Sequence, residues 1–436
     1  MNAVRIGLLG LGTVGGGTLD LLARNGDEIA RRAGRPLRVT HASVRNPERA
    51  RGLPADIALH TDPFEVVRQP DVDIVAELIG GIEPARELVL AAIGAGKHVV
   101  TANKALIAHH GNAIFEAARR AGVAVGFEAA VAGGIPIIKT LREGLAGNRI
   151  DGIAGIINGT SNYILTQMRD AGLDFATALA DAQRLGYAEA DPGFDIDGVD
   201  AAHKLSILAA IAFGMPLCFG EVHVEGIRDL SAVDVDYAGQ LGYRLKLLGI
   251  ARRGAQGVQL RVHPTLLPQR HLLAQVDGVI NAVLVDSDAL GQSLYYGAGA
   301  GAGPTASAVV ADLIDIARAL TIDAEHRVPY LAFHHDRLQA LPVQPIDAVE
   351  TAFYLRLTAL DRPGVLADVT RILADQQISI EAILQKEPAP AASHVPVILL
   401  THKVPERALR DAIARIEALP SIDGRVVSLR VDHLEH

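Results

Sequence analysis

Asp200 and Lys204 stand four residues apart in an otherwise oily helix. Ala201 and Ala202 lie between them, and Leu205, Ile207, Leu208, Ala209 and Ile211 follow. The spacing puts the two charges one turn above each other. On a surface such a pair only props its own helix, by about 0.2–0.5 kcal/mol. A helix apolar on nearly all sides is buried, and burying two charges is costly unless they serve a purpose. The pair is therefore read as lining a cleft. The loop ahead of it, from Gly186, is acidic, with Glu189, Asp191, Asp195 and Asp197. A different chemistry is written near the N-terminus, where Gly10-Leu11-Gly12-Thr13-Val14-Gly15 follows a short buried strand, Arg5 to Leu9. A helix through Leu19, Leu21 and Leu22 comes next. G-x-G-x-x-G between strand and helix cradles a pyrophosphate: Gly10 turns the chain, Gly12 admits the ligand to the backbone, and Gly15 lets helix and sheet close up. The helix then offers its free N–H groups to the phosphates.

The elements that must position these groups begin with strand–helix alternation. Strand two, Leu37 to Val44, ends Val44-Arg45-Asn46, and the next acid is Glu48. An NAD site usually ends this strand with a carboxylate, whereas an arginine suits a 2′-phosphate. The reading leans to NADP, with NAD left open and a solvated loop arginine as the plain alternative. Strands at Asp73–Leu78, His98–Thr101 and Val123–Phe127 alternate with helices at Pro84–Ile93 and Gly111–Ala121. That pattern predicts a doubly wound parallel sheet, with ligands at the carboxyl ends of its strands. Lys104, in the loop after the His98 strand, falls at such an end; taken alone, a loop lysine in water is the ordinary reading.

After Glu128-Ala-Ala-Val131-Ala-Gly133-Gly-Ile135-Pro136 the character changes. A helix over Ile137–Leu145, a strand over Arg149–Ile157, helices to Met168 and over Phe175–Leu185, and later strands from Tyr243 onward predict an α+β domain with an open mixed sheet. A glycine run, Gly297 to Gly303, precedes the apolar helix Ala308–Leu320, another place where backbone can approach a ligand. Residues 336–345 contain two prolines and read as a linker. The remainder alternates strand, helix, strand, strand, helix, strand, the ferredoxin-like order, with a loop over Pro388–Ser393. The expected organisation is a nucleotide-binding domain over 1–135, with a helix at 305–330 packing back on it, an α+β domain over 136–335, a linker over 336–350 and a ferredoxin-like module over 351–436.

The totals narrow the function. At 436 residues two or three domains are expected. A net charge of −9 with interspersed signs argues against nucleic acid and anionic membrane as partners. Aromatic residues are only 4% and Trp is absent, so a base-stacking surface is not expected. No apolar run reaches membrane-spanning length, and the first residues read as a strand rather than a signal peptide, so a cytoplasmic protein is expected. With the first strand read at Arg5, no fused kinase is expected ahead of it. The single cysteine, Cys218, sits in the apolar stretch MPLCFG, which suits a buried thiol. That argues against thiolate-dependent aldehyde chemistry.

Six stretches together resemble homoserine dehydrogenase of the monofunctional kind with a C-terminal ACT domain: GLGTVGGG, TANKALIA at 101–108, FEAAVAGGIPIIK at 127–139, GIINGTSNYIL at 155–165, GYAEADPGFDIDGVDAAHKLSIL at 186–208 and GAGAGPTASAVVAD at 299–312. The resemblance implies an α/β chain with a Rossmann domain, reversible hydride transfer between L-homoserine and L-aspartate 4-semialdehyde, and NADP or NAD as cofactor. It implies Lys204 as proton donor and acceptor at the substrate oxygen and Asp200 as its partner. Substrate contacts fall on Glu189, Asp195, Lys104, Gly159, Thr160 and Tyr187. Cofactor contacts fall on Gly10, Gly12, Thr13, Val14, Gly15, Arg45, Lys104 and Gly303. Glu128 and the carbonyls of Val131, Gly133 and Ile135 correspond to a monovalent cation site, usually taken as sodium; a glycine-rich domain junction is the alternative. The ACT module, marked by DRPGVLADVTRIL, implies threonine sensing or simple self-pairing, in a dimer or tetramer. A regulator that keeps an inactive dehydrogenase fold is the rival of another class.

Overall fold

The computed structural model describes residues 2–46, 54–385 and 393–434. Glu48 and residues 388–392 of the expected loop lie outside the described residues. The chain opens with β1 (Val4–Leu9), α1 (Thr13–Arg24), α2 (Gly26–Ala33), β2 (Leu37–Ser43), β3 (Ala58–His60), α3 (Pro63–Arg68), β4 (Ile74–Glu77), α4 (Ala85–Gly94), β5 (His98–Thr101), α5 (Lys104–Ala121) and β6 (Val125–Gly126). There follow α6 (Ile137–Lys139), β7 (Ile150–Ile156), α7 (Gly159–Asp170), α8 (Phe175–Arg184), α9 (Gly193–Ile196), α10 (Val199–Phe213), β8 (His223–Val224) and α11 (Ala232–Gln240). Next come β9 (Tyr243–Gly254), β10 (Gly257–Pro268), β11 (Ile280–Ser287), β12 (Gly291–Ala298) and α12 (Ala302–Ala319). The last part is β13 (Glu350–Leu360), α13 (Val365–Asp375), β14 (Ile380–Gln385), β15 (His394–Thr401), β16 (Val404–Pro405), α14 (Glu406–Glu417) and β17 (Ile422–Val431).

These elements gather into two compact units. The first comprises Met1–Gly159, Asp200–Val222 and Val279–Leu341; the second comprises Thr160–Val199, His223–Gly278 and Pro342–His436. The segment expected as one domain over 136–335 contributes to both.

The first unit contains a six-stranded parallel sheet in the order β3-β2-β1-β4-β5-β6. Its central strands are apolar without alternation, as VRIGLL in β1 and IVAE in β4, because helices cover both faces. Helix α12 packs beside α1, and Val309, Leu313 and Ile316 join Ile6, Leu8 and Ile74 in one core. It starts six residues before the expected Ala308, so Gly303 and Pro304 form its first turn, where proline costs nothing. It ends at Ala319 and not at residue 330. Beside this sheet, β7, β11 and β12 form an antiparallel set. Helix α5 also begins earlier than expected, at Lys104 rather than Gly111. The Asn103 side chain accepts the Leu106 amide at 3.0 Å and caps it, and Gly122 closes it at φ 68.

In the second unit, β9 and β10 form a long antiparallel hairpin, paired from Tyr243↔Pro268 to Gly254↔Gly257. The C-terminal strands run in the order β17-β13-β15-β14, all antiparallel. Helices α13 and α14 close a core built on Phe353, Leu355, Val369, Leu373, Leu409 and Ile416. This is the ferredoxin-like order read from the sequence. Strand β17 also pairs parallel with β10, at Thr265↔Arg430 and Leu266↔Val431.

Candidate active site

The glycine fingerprint lies between β1 and α1 as a tight turn. Gly10 has φ 96, a value that side-chain-bearing residues rarely adopt. A Cβ on Gly15 would fall 2.1 Å from the Gly10 carbonyl oxygen, so only glycine lets α1 start there. A Cβ on Gly12 meets nothing within 4 Å, leaving open space ahead of the helix. No side chain caps α1, so its first amides in Thr13 and Val14 face outward with the positive end of the helix dipole. Arg45 is exposed just beyond β2. At the end of β4 the buried Glu77 accepts the Ile79 and Gly80 amides at 2.9 and 3.1 Å and the Thr101 hydroxyl at 2.7 Å. This acid shapes the loop facing the fingerprint, and the sequence reading passed it over as the end of an apolar strand.

Helix α10 is buried along almost its whole length, as its composition required. Asp200 is 3% exposed and collects three donors. Lys204 Nζ lies 2.7 Å from Oδ2, Asn158 Nδ2 donates to the same oxygen at 2.8 Å, and Lys104 Nζ lies 3.0 Å from Oδ1. Lys204 Nζ also donates to the Ile157 carbonyl at 2.7 Å. Burial pushes the Asp200 carboxyl up, but the two lysines and these hydrogen bonds outweigh it and hold the group well below the usual carboxylate range. The cluster carries two ammonium groups for one carboxylate. Lys104, the first residue of α5, is the more open of the two lysines, at 35% side-chain exposure against 11% for Lys204. Such a site can stabilise a developing oxyanion and move a proton. Asn158 and the Ile157 carbonyl lie in the GIINGTSNYIL stretch, where nothing local marks them as partners of Asp200 and Lys204.

Gly159 begins α7, and a Cβ there would lie 2.7 Å from the Val279 carbonyl oxygen. In the second unit, Thr160 Oγ1 donates to the Tyr187 carbonyl at 2.7 Å, and Ser161 Oγ donates to the Asp195 carbonyl at 3.1 Å. Tyr187 packs edge-on against Tyr163, with ring centroids 5.0 Å apart. Helix α7 thus holds the acidic loop by its backbone and leaves the Glu189 side chain exposed.

Glu128 is 2% exposed. Its amide donates to Asp312 Oδ2 at 2.8 Å, and its two carboxylate oxygens accept the Ile138 and Lys139 amides at 2.9 Å each. Burial and the neighbouring Asp312 push Glu128 up to about 7. Lys139 Nζ, 3.5 Å from Asp312 and bonded to Asp315, is one nearby cation, and Arg142 is another that favours the charged form of Asp312. Between Val131 and Ile135 the backbone turns left-handed at Ala132, φ 53, and a Cβ on Gly133 would meet the Gly299 carbonyl oxygen at 2.5 Å. The Ile135 carbonyl accepts the Ile137 amide at 2.7 Å.

Comparison with known proteins identifies the family. Family patterns match at residues 10–128 (Homoserine dehydrogenase, NAD binding domain), 136–314 (Homoserine dehydrogenase) and 353–421 (ACT domain). A homoserine dehydrogenase of Pseudomonas aeruginosa is 57% identical over 100% of both chains. The crystal structure of a homoserine dehydrogenase from Thiobacillus denitrificans superposes with a TM-score of 0.95 at 61% identity, covering 100% of this chain and 99% of that one. A hyperthermophilic archaeal homoserine dehydrogenase in complex with NADPH matches at a TM-score of 0.62 and 28% identity, over 72% of this chain and 97% of its own. On these grounds the chain belongs to the homoserine dehydrogenase family.

Proposed function

We propose that this chain interconverts L-homoserine and L-aspartate 4-semialdehyde with a nicotinamide cofactor, using Lys204 as the group that takes the hydroxyl proton and returns it. The observation that carries the assignment is the buried Asp200 gripping Lys204 and Lys104 from two different helices. An inactive regulator would have no use for so costly a cluster. In the oxidation direction Lys204, in its neutral form, accepts the hydroxyl proton. In reduction it gives that proton back as negative charge grows on the oxygen. Asp200 fixes both lysines, and Lys104 adds a second positive charge for the same oxygen. Glu189 and Asp195 supply the negative charge that a zwitterionic substrate's ammonium needs, with Thr160 and Tyr187 holding their loop.

The dinucleotide fits the turn at Gly10–Gly15, where open space at Gly12 meets uncapped amides of α1. When bound, its nicotinamide carries the hydride. Arg45 favours NADP over NAD, and Gly303 opens the first turn of α12. A sodium ion suits Glu128 with the carbonyls of Val131, Gly133 and Ile135. Two buried acids, Glu128 and Asp312, share one lysine there, and carboxylate with carbonyl oxygens makes a hard-cation set. The chain acts as a cytoplasmic homo-oligomer, and threonine at the ACT module is its effector. Edge strand β12, with Tyr296 70% exposed, supports self-association. Among the described residues no helix is long and apolar enough to cross a membrane. The deciding assay is homoserine-dependent reduction of NADP and of NAD at alkaline pH, with and without threonine. Absence of turnover with either cofactor rejects the reading.

A further inference from the structure

The segment that touches the turn after α9 is ion-paired to a strand from the far C-terminus. Arg430 lies on β17, beyond the end of the ACT family match at residue 421. It is 6% exposed. Its guanidinium forks onto Glu225, with Nη1 to Oε2 at 2.7 Å and Nη2 to Oε1 at 2.8 Å. Its Nε donates to Glu406 Oε2 at 2.8 Å, at the start of α14, and Nη2 reaches the other oxygen of the same group. A planar fork with two carboxylates sets position as well as charge.

Glu225 begins a four-residue clamp. Its amide donates to the Val262 carbonyl of β10 at 2.8 Å. A Cβ on Gly226 would fall 2.3 Å from the Ile196 carbonyl oxygen, so this backbone lies directly on the turn after α9. The Ile227 amide donates to that same carbonyl at 2.8 Å. Arg228 forks onto the Asp197 carboxylate. Asp195 is the residue just before this gripped turn. One end of the clamp is therefore tied to Arg430 and the other holds the loop that carries Asp195 and Glu189.

We infer that Arg430, through Glu225, is a positioning residue for the substrate loop, so that the C-terminal module sets the affinity for the amino-acid substrate. The inference rests on reading Glu189 and Asp195 as the ammonium-binding acids. Breaking the pair removes the two-pronged grip on Glu225, while the buried Arg430 keeps Glu406 and the partly exposed Glu225 keeps His223. The turn held by residues 226–228 then loosens while the dinucleotide site, on other elements, is untouched.

The test uses the full-length enzyme in the variants Arg430→Gln, Glu225→Gln and the double variant, with Glu189→Gln alongside. Folding is checked by circular dichroism and melting. Arg430→Gln and Glu225→Gln are each expected to raise KM for homoserine about tenfold. The KM for the cofactor should stay within about twofold, and kcat should fall less than KM rises. The double variant should be no worse than Arg430→Gln alone, because the contact with Glu225 is already lost there. If Arg430→Gln does not fold, the partly exposed Glu225→Gln carries the test alone. An unchanged homoserine KM in folded Glu225→Gln, while Glu189→Gln raises it, overturns the inference and spares the loop assignment. An unchanged KM in Glu189→Gln overturns the loop assignment and the inference with it.

Discussion

The Lys104 ammonium stands 3.0 Å from Asp200 Oδ1, joining the first residue of α5 to the first turn of α10. No local spacing connects these two positions. The contact turns an ordinary helix pair into a cluster with two positive charges around one buried carboxylate, and most of the expected behaviour follows from it.

On the proposed mechanism, Lys204→Ala removes the group that exchanges the proton. Turnover should drop by about 10²–10⁴-fold, the usual contribution of a positioned acid or base. Cofactor affinity, read from the quenching or enhancement of reduced-cofactor fluorescence, should stay near the original value. Near-normal turnover in the variant would refute the proton role.

Asp200→Asn keeps the shape and removes the charge that both lysines face. Leaving buried charge uncompensated costs about 3–5 kcal/mol. The denaturation midpoint should fall accordingly, and kcat with it. A variant as stable as the parent would show that the cluster is not a tight one in solution.

Arg45→Ala tests the cofactor preference. A charge-assisted contact with a phosphate contributes about 1.5–3 kcal/mol, so KM for NADP should rise at least about tenfold while KM for NAD hardly changes. Equal effects on both cofactors would mean that Arg45 contacts neither 2′-position.

Sodium should raise the melting temperature relative to choline chloride at equal ionic strength, because a ligand that binds only the folded chain stabilises it. Glu128→Gln should abolish the difference between the two salts. A melting temperature that responds equally to both salts would leave the Glu128 stretch as a domain junction only.

His203, next to Lys204 and 3% exposed, offers a pH-dependent prediction. Burial pushes its imidazole down to about 4, and the facing His109, Lys104 and Lys204 add to this while Asp200 opposes it. Between that value and the ordinary histidine range the unfolded chain binds a proton that the folded chain refuses. Stability is thus full above about pH 6.5 and declines as the pH falls toward 4, by about 2 kcal/mol at pH 5. His203→Gln should flatten this decline. Denaturant midpoints at pH 7 and pH 5 measure it, and an equally steep loss in the variant would assign the acid sensitivity to other groups.

Much of this molecule is written in local pattern. Gly10, Gly12 and Gly15 between an apolar strand and a helix require a particular turn, and that turn is present. The helix carrying Asp200 and Lys204 reads as buried because it is apolar on nearly all sides, and it is. The start of α5 was misplaced because an asparagine cap ahead of Lys104 was read as loop. Short elements such as β3 and α3 escaped notice for want of enough residues to show a period. Glu77 and Asn158 carry no local signal because a single polar residue at an element's end looks like any loop residue, and Asp312, midway along α12, because one acid on a helix looks like a solvated side chain.

Residue types and their spacing alone determined the strand–helix alternation, the phosphate-binding turn, the ferredoxin-like C-terminal order and the unusual charged pair in a buried helix. These depend on interactions within a few residues, which the sequence states directly. The tertiary structure alone decided that Lys104 and Asn158 converge on Asp200, that Asp312 sits against Glu128, and that Arg430 meets Glu225. Those contacts join residues far apart in the chain. Their energy depends on burial and on distances of about 3 Å, and the order of residues by itself specifies neither.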